Sequence, residues 1–172
     1  MERKYDMSIL KVLLAVSVMG SMAFAGTPKD GVAALQKALT NDGKDAPSLV
    51  KEPKIKVGDT MAPNIKFGKV TVGNNDDQLK KVVSAQGAGS AATVFVKDGS
   101  DFVRISTTIL NKEGKKVLGT KLATDSPAFG PVSKGESFCG EAKIVDFMFD
   151  TCYEPIKVNG ETIGIYLFGI KK

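Results

Sequence analysis

Val32, Leu35 and Leu39 recur at helical spacing through KDGVAALQKALTN, residues 29–41, and Asn41-Asp42-Gly43 breaks the pattern. One amphipathic helix is predicted there. Between residues 44 and 64 no period holds; Pro47, Pro53 and Pro63 are spread among lysines, a composition that predicts an extended connector on the domain surface. From Ile65 the texture changes. IKFGKVTV predicts a strand, DDQLKKVVSA a helix, and AATVFVK and DFVRISTTIL two strands about the turn Asp98-Gly99-Ser100. Asn111 to Lys115 predicts a turn, and SPAFGPVSKG a short helical or looped crossing. Two hairpins close the chain, one in GESFCGEAKIVDFMFDTCYEPI and one at Asn159-Gly160, a dipeptide suited to a two-residue β-turn. The expected class is α+β, with an antiparallel sheet of about five strands. Residues 26–64 supply the N-terminal helix and connector, and residues 65–172 the sheet-rich domain.

The first hairpin can be given a register. With its tip at Val145-Asp146, Phe138 faces Tyr153, Gly140 faces Thr151, Ala142 faces Phe149 and Ile144 faces Phe147, an almost wholly apolar side. The other side carries Ser137, Glu141, Lys143, Asp150 and Glu154, and there Cys139 lies opposite Cys152. These are the only two cysteines. Directly opposed residues on antiparallel strands have Cα atoms about 4.5 to 5.5 Å apart, within the reach of a disulfide. Glu141 opposite Asp150 is a visible cost that favours a slip of register by a bulge, which a Cys139–Cys152 disulfide would prevent.

Compartment decides the chemistry of the thiols. Arg3, Lys4 and Lys11 precede the apolar run Val12 to Phe24, and Ala23-Phe24-Ala25 is a small-x-small cleavage pattern before Gly26. Residues 1–25 are therefore expected to be a secretory signal peptide, the apolar run being short for a span of about 20 residues. No later stretch is long and apolar enough to cross a bilayer, so the product is expected in the periplasm or secreted. An oxidising compartment favours a Cys139–Cys152 disulfide. Zinc would ask for four ligands and a nucleophilic cysteine for an activating base, and the chain has no histidine.

The same absence weakens any enzymatic reading. Ser48-Leu49-Val50-Lys51 matches the S-x-x-K pattern of penicillin-binding enzymes without its companion elements, and the glycine-rich run 87–92 leads into a strand when a dinucleotide fingerprint should leave one. No catalytic residue, metal site or cofactor is expected. After Ala25 the chain carries 21 basic and 17 acidic residues. The lysines are scattered among acids without a basic stripe, which argues against nucleic acid. Of those 21 basic residues, only Arg104 is arginine. A planar guanidinium grips a carboxylate through two parallel hydrogen bonds, as lysine cannot. In DFVRIST it alternates with Phe102 and Ser106, with Val103, Ile105 and Thr107 on the other face. A salt bridge to an acid of the chain, or plain exposure, is the competing explanation.

ATVFVKDGSDFVRIST, GKKVLGTKL, SPAFGPVSKGESFCGEAKI and YEPIKVNGETIGIYLFGI together resemble the single Cache domain, Cache 3 type, of bacterial extracellular sensors, over roughly Lys69 to Ile170. The resemblance implies a PAS-like fold with a long N-terminal helix and a pocket for small ligands, often short carboxylates. It places Arg104 as an anchor for an anionic ligand. Phe102, Ser106, Phe138 and Tyr153 are candidate walls, with Thr93 and Phe95 on the neighbouring strand. Phe138-Cys139 stands where relatives often carry a tyrosine-rich segment, and Cys152 replaces a small residue before Tyr-Glu-Pro-Ile, so the identity of the ligand does not transfer. Family receptors are flanked by membrane helices, whereas release after Ala25 and an end at Lys172 would leave a sensor without its transmitter. The expectation is an exported, soluble, non-enzymatic sensor domain for a small anionic metabolite, acting with a membrane-bound receptor or histidine kinase. The alternatives are an interaction module without a ligand and a redox switch based on the hairpin disulfide.

Overall fold

The computed structural model describes residues 26–172. The expected signal peptide, residues 1–25, lies outside the described residues. Helices α1 (Pro28–Leu39), α2 (Asp77–Gln86) and α3 (Phe129–Ser133) accompany eight strands: β1 (Pro47–Val57), β2 (Thr60–Phe67), β3 (Val70–Thr71), β4 (Ser90–Asp98), β5 (Asp101–Thr107), β6 (Phe138–Ile144), β7 (Phe147–Val158) and β8 (Glu161–Lys171). Two antiparallel sheets result, ordered β1-β2-β3 and β5-β4-β8-β7-β6. The α+β expectation and the five-stranded sheet are both present.

Helix α1 begins with a capping box, in which Thr27 accepts from the Asp30 backbone and the Asp30 carboxylate accepts from the Thr27 backbone, with Pro28 preset for the first turn. Its buried stripe is Val32, Leu35 and Leu39, as the spacing predicts. Gly31 lies against the ring of Phe168, and a Cβ there would come within 2.1 Å of that ring. The helix can therefore sit directly on β8.

Residues 44–64, expected as a connector, are instead most of the β1–β2 hairpin. The reason is where the prolines fall. Pro47 is the first residue of β1, and the pairing jumps from Val50 opposite Asn64 to Ile55 opposite Ala62, so Pro53 and Pro63 both sit in the irregularity. At a strand start or a bulge, proline removes no ladder hydrogen bond. IKFGKVTV also divides, since Gly68, at φ +55°, turns the end of β2 into the two-residue β3.

The five-stranded sheet separates two cores. On one face α1, α2 and the smaller sheet enclose Ile65, Phe67, Val94, Val96, Ile105 and Phe168. On the other, the segment 108–128 and α3 cover Phe95, Phe102, Tyr153, Ile165 and Leu167. That segment is pinned at Asp76, which accepts from Lys116 at 2.5 Å and pairs with Lys80 at 3.1 Å. Partial burial by itself would raise the Asp76 carboxyl, but the two lysines outweigh it and hold it below the usual carboxylate range.

The β6–β7 hairpin has the predicted register throughout, Phe138 opposite Tyr153 to Ile144 opposite Phe147, with Cys139 bonded to opposing Cys152. No bulge relieves Glu141 opposite Asp150; the terminal Lys172 reaches Glu141 instead. The polar face of the hairpin is less open than its sequence implies, because α1 covers part of it and leaves Cys152 only 3% exposed.

Two stability tests follow from these contacts. Replacing both cysteines by serine should cost about 3 kcal/mol in denaturant unfolding on the loop-closure estimate, and mass spectrometry of the non-reduced protein should find Cys139 linked to Cys152. Asp76→Asn should cost about 1 kcal/mol at neutral pH. The folded carboxyl titrates below the unfolded one, so its contribution is present above the unfolded value of about 3.9 and lost as pH falls through the folded value. Wild type and variant should therefore converge on acidification; a constant difference would place the effect elsewhere.

Candidate functional site

Arg104 lies on β5 with its side chain on the face covered by the segment 108–128. It stands opposite Phe95 of β4, and its guanidinium carbon is 4.8 Å from the centre of that ring, a cation–π contact. Nη1 donates to the Thr120 hydroxyl, which itself donates to the Val117 carbonyl at 2.9 Å. Nε has no hydrogen-bond partner, and none of the ion pairs among the described residues includes Arg104. With only 5% of the residue exposed, a guanidinium is enclosed without a counter-anion. Burial pulls its pKa down to about 10, with the neighbouring Tyr153 opposing the shift. The side chain is still charged at neutral pH.

On the same face of the sheet lie Phe95, Phe102, Thr93 and Tyr153, all buried, and Phe138, half-buried; of these, Phe95 and Tyr153 neighbour the guanidinium. The rings of Phe138 and Tyr153 are 6.2 Å apart, and Phe102 meets Phe129 of α3 edge to face at 6.2 Å. The Thr93 and Thr107 hydroxyls are 2.7 Å apart. Burial pushes the Tyr153 phenol up to about 12, against the pull of Arg104 and a hydrogen bond with Ser126. Six of the seven residues expected from the sequence are thus on one face of the sheet.

Ser106 is not. The pairing of β4 with β5 shifts between Val94 and Phe95: Phe95 faces Arg104 but Val94 faces Ser106, leaving Ile105 as an extra residue. A bulge of this kind breaks alternation. Ser106 therefore lies with Val94 towards the other core and donates to the Asn75 carbonyl at 2.7 Å. Thr107, expected on the far face, comes round to the Arg104 side instead.

Thr120 was not foreseen as a site residue. Its segment returns antiparallel to β5: Arg104 N donates to Thr120 O at 2.9 Å and Gly119 N to Arg104 O at 2.9 Å. Behind it lies the β1–β2 turn. A Cβ on Gly119, at φ +75°, would meet the Val57 carbonyl at 2.2 Å, one on Gly58 would meet the Leu118 carbonyl at 2.5 Å, and Thr60 donates to Gly119 O at 3.1 Å. The only sequence signal for Thr120 is its place in GKKVLGTKL.

Residues 21–172 match the Cache 3/Cache 2 fusion domain. The chain belongs to that family. Cache domains are extracellular or periplasmic sensor modules of signal transduction, generally without catalytic activity. The match takes in α1 and the β1–β2 hairpin as well as Lys69 to Ile170. A search among curated proteins found no match. Among the described residues no helix is long and apolar enough to cross a membrane.

An unpaired buried charge is a cost to the fold. Because the folded pKa of Arg104 lies below the unfolded one, that cost is fully present at neutral pH and is relieved only above about pH 10. Arg104→Met, close in length and uncharged, should raise the stability of the ligand-free domain at neutral pH by about 1 to 3 kcal/mol in denaturant unfolding. A variant no more stable than wild type would mean that the guanidinium is already compensated.

Proposed function

We propose that this Cache domain is an exported, soluble sensor that binds a small anionic metabolite, of the size of a short carboxylate, through Arg104, and acts with a membrane-bound receptor or histidine kinase. One observation carries the reading: a guanidinium enclosed by side chains, charged, with an unpartnered Nε and, among the described residues, no ion-pair partner. The Nε edge of an arginine presents two parallel donors, and a carboxylate filling it would satisfy the orphan donor and neutralise the charge together. Phe95, Phe102 and Tyr153 keep water out, which strengthens the attraction. Thr120 holds the other edge of the fork in place. Phe138 and Tyr153, from the two strands of one hairpin, form the wall that would contact the non-charged part of the ligand.

The second reading, an interaction module whose pocket is filled by its own side chains, is favoured by the same enclosure: Phe95 and Phe102 are fully buried and tightly surrounded. The disulfide lies towards α1 and the opposite core, away from Arg104. This speaks against a redox switch acting directly on the site.

A thermal-shift screen of the exported protein against short carboxylates and amino acids separates the two readings. A ligand at 100 times its dissociation constant stabilises the fold by about 2.7 kcal/mol. Arg104→Ala should weaken binding about tenfold to a hundredfold, and Arg104→Lys, which keeps the charge and loses the fork, almost as much. Reduction of the disulfide should leave the affinity unchanged. Normal binding by Arg104→Ala, or no response to any anion, would replace this reading with the interaction module.

A further inference from the structure

At the end of the five-stranded sheet where the β4–β5 and β7–β8 turns lie, β1 and the end of α3 close a cleft of about 470 Å³. Lys51, Lys97, Lys134 and Lys157 line it, each from a different chain segment, together with the hydroxyl residues Ser133 and Thr162. Glu161 is the one acid in its wall. Among the described residues none of the four lysines is within ion-pair distance of a carboxylate, and the nearby Asp98 is held by Lys54 at 3.0 Å. Lysines that are scattered along the sequence are gathered here by the fold.

The backbone contributes a second feature. Pairing of β7 with β8 shifts between Ile156 and Lys157, so that Ile156 faces Gly164 while Lys157 faces Thr162. Regular pairing would have set Ile163 opposite Lys157. The bulge instead sends Ile163 into the core and brings a hydroxyl beside the ammonium. Gly135, at φ +77°, completes the corner: a Cβ there would be 3.2 Å from the Thr162 hydroxyl and 3.5 Å from Lys157 Nζ. A glycine leaves that corner open.

We propose that this cleft is a second anion site, for a multiply charged oxyanion of the phosphate class. Four lysines and a single carboxylate in one lining leave the cleft net positive. Ammonium groups act as point charges, without the planar fork that selects carboxylates, and with serine and threonine hydroxyls they suit a tetrahedral phosphate group. The site is separate from Arg104 and does not depend on the reading of that residue. The phosphate group could belong to a free solute or to a lipid headgroup at the membrane surface, and both present the same chemistry.

Titration of the isotope-labelled exported protein with pyrophosphate should shift the amide resonances of Gly99, Gly135 and Gly160 together. Lys134→Ser with Lys157→Ser should weaken that binding by about tenfold or more, and the affinity should fall steeply with salt. Arg104→Met should bind pyrophosphate normally, which keeps failure of this proposal distinct from failure of the carboxylate reading. Sedimentation with phosphatidylglycerol vesicles, lost in the same double lysine variant, would support the site and assign its phosphate to lipid. No localised shift and no vesicle binding would overturn the proposal, as would shifts or vesicle binding that persist in the double variant.

Discussion

Strand β8 is the constraint to which the other elements are fitted. It is paired along both edges, with β4 from Ser90 opposite Ile170 to Val96 opposite Gly164, and with β7 from Phe149 opposite Lys171 to Val158 opposite Glu161. Its side chains alternate between the two cores, Ile165 and Leu167 into one, Tyr166 and Phe168 into the other. Helix α1 reaches the sheet only because Gly31 admits the Phe168 ring. Gly164 has a similar role inside the strand: a Cβ there would collide with the Phe95 carbonyl at 2.2 Å and with the Ile65 side chain, so the smaller sheet can close over this part of β8. A one-residue slip of β8 would exchange the two cores.

The polar groups are placed where that arrangement leaves room for them. Asp76 is partly buried between two lysines, and its ion pair with Lys116 ties down the segment 108–128; Arg104 is buried without a carboxylate partner among the described residues and meets that segment through neutral hydrogen-bond partners alone. The contrast separates an ionic contact that holds the fold together from a charge the fold tolerates. Tolerance of this kind is common where a ligand is to be gripped, because a site that satisfied its own arginine would have to break that contact before binding.

The sequence was most legible where local signals agreed. The β6–β7 hairpin, with its alternation of apolar and polar residues, could be registered residue by residue, and Asn159-Gly160 marked the next turn; both are found with left-handed backbone at the turn, at Val145 and at Asn159-Gly160. Helix α1 was legible from three leucine or valine positions and a stop. The β1–β2 hairpin was hidden because its prolines read as connector, although each sits where no ladder bond is required. Ser106 was misassigned because a single extra residue at Ile105 inverts every later position of the strand, and nothing in FVRIST signals it. Thr120 was out of reach for another reason: it meets Arg104 through a loop returning across the strand, a tertiary event without a period.

The contact between Gly58 and Gly119 has a mechanical consequence. Side chains absorb small displacements by changing rotamer, but here a main-chain carbonyl rests directly against a residue that has no side chain to turn, in both directions across the junction. There is no slack. The segment that carries Thr120 and hydrogen-bonds the backbone of Arg104 is thereby packed backbone to backbone against the tip of the β1–β2 hairpin, so that the buried cation and the N-terminal part of the domain share one rigid junction.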